Sequence, residues 1–368
     1  MCKVRKASLC EIGGPIFDTE CFMLSSPHLS PRSRLIRFVS TVVLVLAFVV
    51  VFFGLSCPVI IEDLSAPAPS SSPAVSHAPP VVASPQPELP AETEQFSIIW
   101  LSDTQTIAYF EDDRVFQAMG EWIMEQEKPL NVRYIIQTGD LVDNGYVQKQ
   151  WDSFNVLLNQ FYGKIPYLTI AGNHDLGVKL QEYDAYSSQP FVKSIPKEQS
   201  FKDGQAVYAE FQAGGQDFLI LGAGWGAELS STVWMNEVLR SHPDHVAILM
   251  FHYYIKINGS ITNQSDVLRD RIVASNPNVR LVLSGHVRGS GYRLEEFDDD
   301  GDGEMDRQVH AMLYNYQNYP EYNTGQLRVL TFDTETRDIR VFTYSPFTKR
   351  YYSDGHFKSQ EFVLEDAF

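Results

Sequence analysis

Seven side chains that can bind a metal ion or transfer a proton follow directly after five short apolar runs. They are Asp103, Asp140, Asn173, His174, Asp175, His252 and His286. Carboxylate, imidazole and amide groups form a mixed oxygen and nitrogen ligand set that suits Mn, Fe or Zn. Each motif alone is weak, since Gly-Asp after a strand is usually an ordinary turn and a lone histidine there is usually structural. Together, in this order, they predict a metal site.

The five apolar runs must position these side chains. They are FSIIWL (96–101), VRYIIQ (132–137), YLTIA (167–171), VAILMF (246–251) and VRLVLS (279–284). Continuous apolar runs are typical of strands buried on both faces, and their alternation with helical periodicity predicts a layered α/β domain. In open α/β sheets ligands bind at the carboxyl ends of the strands. Glycines before Asp140, Asn173 and His286 permit the tight turns that bring those side chains into one cleft.

The order of the motifs resembles the calcineurin-like metallophosphoesterase family. That family has Asp-x-His, Gly-Asp-x-x-Asp or Asn, Gly-Asn-His-Asp or Glu, a lone His, and Gly-His-x-His, and the match here covers roughly residues 96–345. The resemblance implies an α/β fold of two mixed β-sheets packed as a sandwich and flanked by helices. It implies hydrolysis of a phosphate ester by a metal-activated hydroxide, with one or two divalent ions, and does not distinguish monoesters from diesters.

The resemblance also implies roles for individual residues. Asp140 would bridge two metals, and Asn173, His252 and His286 would complete the shell of the second metal. His174 would act as an acid or stabilise the phosphoryl group. Asp175 would orient the His174 imidazole.

Two positions depart from the family pattern, and both belong to the first metal, which Asp103 and Asp140 would bind together with two histidines. Gln105 stands where the first histidine is expected, and its amide oxygen is a weaker ligand. Arg288 stands at the second position and cannot bind a metal, because its guanidinium stays protonated. One hypothesis is that the Arg288 guanidinium occupies the vacated metal position, paired with Asp103, and grips substrate phosphate. The other is decay of an obsolete site.

Two function classes remain open from the sequence. The intact ligand set favours a phosphoesterase with an altered dinuclear, or mononuclear, site. Gln105 and Arg288 favour a catalytically degenerate phosphate- or ligand-binding envelope protein. A nuclease is disfavoured and no nucleic-acid partner is expected, since the formal net charge is −17 and binding to phosphate backbones needs basic surfaces.

The N-terminal part of the chain predicts export. Residues 38–61 carry no charge and are long enough to cross a bilayer as a helix. Arginines precede this segment and acidic residues follow it, so the positive-inside rule places residues 1–37 in the cytoplasm. We expect a single-pass anchor in the cell membrane with an extracellular catalytic domain. A cleaved or lipidated export signal ending near Cys57, and a translation start at Met23, are alternatives.

A proline-rich segment separates this anchor from the domain. Residues 62–95 contain eight prolines and predict a disordered stalk, which leaves 96–368 as the metallophosphoesterase-like domain. All four cysteines (Cys2, Cys10, Cys21, Cys57) precede the stalk. The domain therefore has neither a disulfide nor a thiol nucleophile.

Two further stretches have alternative interpretations. FDDDGDGEMD (297–306) places Asp298, Asp300 and Asp302 at the spacing of a calcium loop, but Val309 at the twelfth position favours an acidic hairpin turn over weak calcium binding. The segment 313–325 contains four tyrosines and is interpreted as a lining of the substrate cleft or as a surface loop. Trp225, after the strand FLILGA, indicates no particular role.

Overall fold

The structure is a computed structural model that describes residues 94–177, 179–227, 229–317, 324–351 and 361–368. These residues belong to one compact unit, Ala78–Phe368. In the described part of the chain no helix is long and apolar enough to span a membrane. The predicted membrane segment 38–61, and the predicted stalk up to residue 93, lie outside the described residues.

In the described part of the chain the first sheet has seven strands, in the order β13-β12-β11-β1-β2-β3, with β14 paired to β12. Its strands are β1 (Gln95–Leu101), β2 (Val132–Gln137), β3 (Tyr167–Thr169), β11 (Leu327–Asp333), β12 (Ile339–Ser345), β13 (Arg350–Tyr351) and β14 (Glu361–Leu364). The β1, β2 and β3 strands are parallel, whereas β11 pairs with β1 in the antiparallel direction. The sheet is therefore mixed, as the resemblance implied.

The second sheet also has seven strands, in the order β4-β5-β6-β7-β8-β10-β9. Its strands are β4 (Ser200–Phe201), β5 (Ala206–Ala213), β6 (Gln216–Ala223), β7 (Val246–Phe251), β8 (Val279–Ser284), β9 (Gly289–Phe297) and β10 (Arg307–Asn315). Parallel pairing joins β6 to β7, β7 to β8 and β8 to β10. The outer pairs β5–β6 and β9–β10 are antiparallel.

Helices cover the outer faces of the two sheets. They are α1 (Gln105–Tyr109), α2 (Asp113–Gln126), α3 (Gln148–Phe161), α4 (Asn173–Leu176), α5 (Tyr183–Ser187), α6 (Pro190–Lys193), α7 (Thr232–Ser241) and α8 (Asp266–Leu268), with a 3-10 turn at Lys197–Gln199 and a π-helical turn at Arg269–Val273. Phe116 of α2 and Phe154 of α3 pack against the first sheet. Met235 and Leu239 of α7 pack against the second.

The core between the sheets follows from the period of two along each strand. Ile98 and Trp100 of β1 point into it and belong to the same buried cluster as Ile248 of β7, whereas Ile99 and Leu101 belong to the cluster that contains α2 and α3 side chains. Both faces of β1 are buried, which is why the sequence shows an apolar run and no alternation. The result is the helix-sheet-sheet-helix sandwich expected from the sequence.

All five predicted strands are present, and one is shorter than expected. The predicted run 167–171 ends as a strand at Thr169. Ile170 still donates its backbone N–H to Gln137, at 3.2 Å, and the chain then leaves the sheet to form the loop that carries Asn173.

The acidic segment 298–306 connects β9 to β10, whose first pair is Phe297 with Arg307. The prediction of a hairpin turn is confirmed. The buried Arg307 side chain binds both carboxylate oxygens of Asp299, at 2.7 Å each, and fixes the turn to the sheet.

Candidate metal centre

Loops from both sheets meet at one edge of the sandwich. Asp103, Asp140 and Asn173 follow β1, β2 and β3, and His252 and His286 follow β7 and β8. Asp103, Asp140 and His286 have backbone φ angles of 52°, 54° and 67°. These angles lie in the left-handed region, which residues other than glycine rarely adopt. Backbone strain of this kind persists where the surrounding structure holds it, and it is concentrated at functional sites.

Four ligand atoms converge at this edge. His252 Nε2 lies 3.1 Å from Asn173 Oδ1, 3.1 Å from His286 Nδ1 and 3.4 Å from Asp140 Oδ2. Two ligands bound to one ion at about 2.1 Å, at angles near 90–110°, lie about 3.0–3.4 Å apart. The spacing around His252 Nε2 therefore fits one divalent cation, and the donor set of two imidazoles, a carboxylate and an amide oxygen suits Mn, Fe or Zn.

His252 is fully buried, and its Nδ1 lies 2.8 Å from the Thr138 carbonyl oxygen. Nδ1 must carry the proton in this contact, because a carbonyl only accepts, and Nε2 is then directed at the other ligand atoms. Burial acts to lower the pKa of His252, but the Asp140 carboxylate, with Asp103 and the Thr138 carbonyl, outweighs burial and raises the pKa to about 10. A proton on His252 Nε2 and a cation would compete for the same lone pair, so binding of a cation there releases a proton.

His286 has a different environment. Burial lowers its pKa to about 4, and the neighbouring charge of His252 acts in the same direction. Its ring is therefore neutral near pH 7, and a neutral imidazole has the lone pair that a metal ligand needs.

The Asp103 carboxylate is engaged by the protein itself. It accepts hydrogen bonds from the His286 backbone N–H, at 3.0 and 3.1 Å, from Asn315 Nδ2, at 2.8 Å, and from the Ser102 hydroxyl. Burial raises its pKa to about 7. Asp140, His252 and His286 form a group of potential metal ligands within 4.8 Å of one another, and Asp103 is not part of it.

Gln105 is almost completely buried beside Asp140. Its Nε2 donates to Asp140 Oδ2 at 3.0 Å, and its Oε1 is buried with no hydrogen-bond partner. The two ends of an amide are assigned from their contacts. With either assignment, one polar atom of Gln105 lies against Asp140, on the carboxylate oxygen that faces His252.

Arg288 is exposed, unlike every other residue of the predicted site. Among the residues that the structure describes, it forms no ion pair or hydrogen bond. The proposed pairing of its guanidinium with Asp103 is therefore not present, because Asp103 is buried and occupied by Ser102, His286 and Asn315.

His174 lies on α4 next to the ligand cluster, and its side chain is 40% exposed. Its backbone N–H donates to Asp140 Oδ1 at 2.9 Å. Its Nδ1 lies 3.0 Å from Asp143 Oδ1 and 3.2 Å from the Asp143 carbonyl oxygen. Nδ1 therefore carries a proton toward Asp143, and Nε2 is left for a substrate.

Asp175 does not orient the His174 imidazole, contrary to the expectation from the sequence. Its fully buried carboxylate accepts the backbone N–H groups of Leu141 and Val142 on one oxygen, at 2.8 and 3.0 Å, and of Gly172 on the other, at 2.7 Å. Burial raises the pKa of Asp175 to about 7, and Asp140 adds to this. Asp175 ties the Asp140 loop to the Asn173 loop.

Asp143 and Asn315 take part in the site although the sequence analysis did not select them. Asp143 occupies the last position of the Gly-Asp-x-x-Asp pattern, so a signal was present. Asn315 ends β10, and its Nδ2 also donates to the His286 carbonyl oxygen at 3.1 Å. No motif marks Asn315, because its role follows from the pairing of β10 with β8.

The tyrosine-rich segment contributes to the core at the two positions that can be described. Tyr314 and Tyr316 are 1% and 2% exposed, and the Tyr314 hydroxyl donates to the Trp100 carbonyl at 2.7 Å. Neither side chain therefore lies on a surface loop, and Tyr316 lines a small pocket beside Asp103. Tyr319 and Tyr322 lie outside the described residues.

In the hairpin turn, Asp298, Asp300 and Asp306 form a second acidic group, with Asp306 in place of the predicted Asp302. Their oxygens already accept backbone N–H groups of the turn, as Asp298 does from Gly301 and Asp306 from Asp299 at 2.6 Å each. Weak calcium binding there stays a prediction.

Comparison with known proteins gives a match to the family described as calcineurin-like phosphoesterase over residues 96–288. The uncharacterized protein YvnB of Bacillus subtilis is 38% identical over 289 residues, which are 76% of this chain and 22% of that protein. The "Probable cyclic nucleotide phosphodiesterase" of Moraxella catarrhalis is 26% identical over 206 residues, 52% of this chain and 71% of that protein. This chain thus spans only about a fifth of the length of the Bacillus relative.

Among solved structures, the purple acid phosphatase PPD1 from yellow lupin (Lupinus luteus) superimposes with a TM-score of 0.50 at 12% identity, over 75% of this chain and 55% of that one. At this identity the similarity extends to the fold alone.

Proposed function

This chain belongs to the calcineurin-like phosphoesterase family, and from that premise we propose that it hydrolyses a phosphate ester with one divalent cation bound by Asp140, Asn173, His252 and His286. The observation that carries the proposal is the convergence of Asn173, His286 and Asp140 ligand atoms 3.1–3.4 Å from His252 Nε2. When bound, such a cation acts as a Lewis acid that lowers the pKa of water and polarises a phosphoryl oxygen.

The protein groups around the cluster support a single cation. The Asp103 carboxylate accepts hydrogen bonds from three protein donors, one of which is Asn315. Gln105 takes the position of a histidine ligand and contacts Asp140 directly. Arg288 is exposed and has no lone pair to offer a metal ion. The first metal position of the family therefore lacks the two histidines of the family pattern, because Gln105 and Arg288 stand in their places.

His174 is the group best placed to serve the reacting phosphate. Its Nδ1–H donates to Asp143, so when the ring is an imidazolium the second proton, on Nε2, is free to be donated to a leaving oxygen or to stabilise charge on the phosphoryl group. Asp140 fixes the backbone of His174, and Asp175 ties the two loops that carry Asp140 and Asn173. The acid and the cation ligands are thus held in one rigid unit.

The proposed substrates include both phosphate monoesters and phosphate diesters. The name of the Moraxella catarrhalis relative mentions a cyclic nucleotide, which is a phosphate diester. We therefore include a cyclic nucleotide among the candidate diesters, next to simple monoesters. Loss of the second cation removes a clamp on the attacking and leaving oxygens, so we expect slow turnover.

We also propose that the domain works outside the cell, attached through residues 38–61. The uncharged segment, the preceding arginines and the proline-rich stretch after it support this proposal. Addition of protease to intact cells tests it, since release of the domain without lysis is expected. Complete protection of the domain in intact cells would contradict it.

The second candidate is a ligand-binding protein without activity, which the exposed Arg288 and the Gln105 substitution favour. Hydrolysis of nitrophenyl phosphate mono- and diesters and of a cyclic nucleotide by the full chain with Mn2+ separates the two. The enzyme proposal expects turnover that requires Mn2+ and is lost in Asp140→Ala and His252→Ala. Asp217→Ala, an exposed change at the start of β6, serves as the control for expression and folding. A folded chain that binds Mn2+ but hydrolyses none of the panel would favour the ligand-binding candidate.

A further inference from the structure

The two histidines of the metal cluster are held in different ways. A metal-binding histidine usually donates its second ring nitrogen to a carboxylate or carbonyl, which fixes the orientation of the ring. His252 follows this rule through Nδ1 and the Thr138 carbonyl. His286 directs Nδ1 at the cluster, and among the described residues its Nε2 has no hydrogen-bond partner.

Aromatic rings take the place of that hydrogen bond at His286. The Trp225 indole is stacked with the His286 ring, with centroids 5.2 Å apart and an angle of 26° between the planes. The Tyr253 ring lies 4.7 Å from the His286 ring at 47°. Trp225 also meets His252 edge-on at 6.0 Å. The indole thus contacts both imidazoles of the cluster.

The backbone of Trp225 is fixed to the same part of the site. Its N–H donates to the Ala171 carbonyl at 2.8 Å, two residues before the ligand Asn173. Tyr253 follows His252 directly in the sequence. The backbones of both aromatic residues are therefore anchored beside loops that carry other ligands. Because their rings are held in place, stacking against them resists rotation of the His286 imidazole about its χ angles.

We propose that Trp225 and Tyr253 are positioning residues, whose rings hold the His286 imidazole in the orientation that metal binding requires. The inference rests on the metal site of the proposed function, but not on the reaction. Because changes around metal-binding histidines typically lower metal affinity 10- to 100-fold, loss of the Trp225 ring should weaken cation binding at least about 10-fold. A phenyl ring at the same position should preserve most of the affinity.

The test is calorimetric titration of the full chain with Mn2+ alone. Wild type, Trp225→Phe and Trp225→Leu are compared with Trp234→Leu. Trp234 is also partly buried, but it packs against Phe201 and Tyr208 and touches no ligand of the cluster. We expect an affinity close to wild type in Trp225→Phe and Trp234→Leu, and a loss of at least about 10-fold in Trp225→Leu. If the leucine variant does not fold, Tyr253→Leu removes the other ring and is expected to lose affinity in the same direction.

Tryptophan fluorescence gives a second readout that a general loss of stability would not produce. The chain has five tryptophans, and the Trp225 ring touches both histidines of the cluster. Mn2+ should change the emission of wild type, and this change should disappear in Trp225→Phe although the cation still binds.

The outcomes separate this inference from the proposed function. Mn2+ affinity in Trp225→Leu equal to that of wild type overturns the positioning role and leaves the metal site in place. An equal loss in Trp234→Leu also overturns it, because the effect would then be general. Absence of Mn2+ binding in wild type overturns both.

Discussion

At the scale of single residues, two carboxylates near the cluster make different contacts, and the one that the sequence assigned to the His174 imidazole does not reach it. Asp143 contacts the His174 imidazole, and Asp175 binds backbone N–H groups of two neighbouring loops. One of these carboxylates should therefore affect turnover, and the other should affect stability.

Replacement of Asp143 by Ala should lower kcat about 100-fold, since it removes the group that orients a general acid, whose contribution is about 10²–10⁴-fold. Mn2+ affinity should not change, because Asp143 touches no ligand of the cation. Steady-state kinetics and metal titration check this prediction, with Asp152→Ala on the exposed side of α3 as the control. A parallel loss of Mn2+ affinity would refute the assignment.

Replacement of Asp175 by Ala should lower the free energy of unfolding by about 3 kcal/mol or more. The change leaves three buried backbone N–H groups without an acceptor, and one such group alone costs about 1–3 kcal/mol. Urea unfolding in the presence of EDTA measures this without a contribution from metal binding. A variant as stable as wild type would show that water replaces the carboxylate.

At the scale of the elements, turns at the strand ends bring the ligands together. Gly139 has a φ of +97°, and a Cβ there would lie 2.6 Å from the Gly172 backbone nitrogen and 2.7 Å from His252 Nδ1. The Asp140, Asn173 and His252 loops therefore pack against one another with no room for a side chain.

Gly139→Ala should weaken Mn2+ binding at least about 10-fold, since it pushes these loops apart. Gly215→Ala is the matched control, because Gly215 also has a positive φ, +76°, but a Cβ there would meet nothing within 4 Å. Both variants should lose about 1–2 kcal/mol through backbone strain. If metal titration gave the same affinity for both variants, the close packing at Gly139 would have no role in the site.

His310 on β10 should make stability depend on pH. Burial lowers its pKa to about 4; Nδ1 contacts the Tyr292 hydroxyl at 2.9 Å, and Nε2 is buried with no partner. Below pH 6.5 the unfolded chain binds a proton at this histidine that the folded chain does not bind. The free energy of unfolding is therefore unaffected by His310 above pH 6.5 and decreases as the pH falls toward 4. The loss is at most about 3 kcal/mol.

Urea unfolding of wild type and His310→Gln between pH 7.5 and 4.5 isolates this effect, because the other histidines are common to both chains. The free energies of unfolding of the two chains, plotted against pH, should converge as the pH falls. Parallel curves would show that His310 does not titrate differently in the two states.

The strands and the order of the ligands could be predicted from the sequence, because a strand buried on both faces appears as an apolar run and its carboxyl end is where ligands lie. The contacts of Asp143, Asn315 and Trp225 could not, since each reaches a residue 29 or more positions away through the pairing of strands and loops. The structure shows no contact between Arg288 and Asp103 among the described residues, for a related reason. The sequence shows which residue replaces a ligand, but not that Asn315 and the His286 backbone already occupy the carboxylate.

At the scale of the whole molecule, the proposed cation ligands come from both sheets of the sandwich. Asp140 and Asn173 follow strands of the first sheet, and His252 and His286 follow strands of the second. A cation bound by all four would link the carboxyl edges of the two sheets, and the phosphate ester would bind at that edge. The proposed function therefore depends on how many cations bind at this edge and on whether they support hydrolysis of the ester.

The most direct measurement is the rate of nitrophenyl phosphate ester hydrolysis by the full chain as a function of the number of Mn2+ ions bound per chain, counted by native mass spectrometry. We expect a rate that rises with bound Mn2+ and reaches its plateau at one ion per chain. A plateau only at two ions would contradict the single-cation site, and a chain loaded with one ion and showing no turnover on any ester would contradict the proposed enzyme.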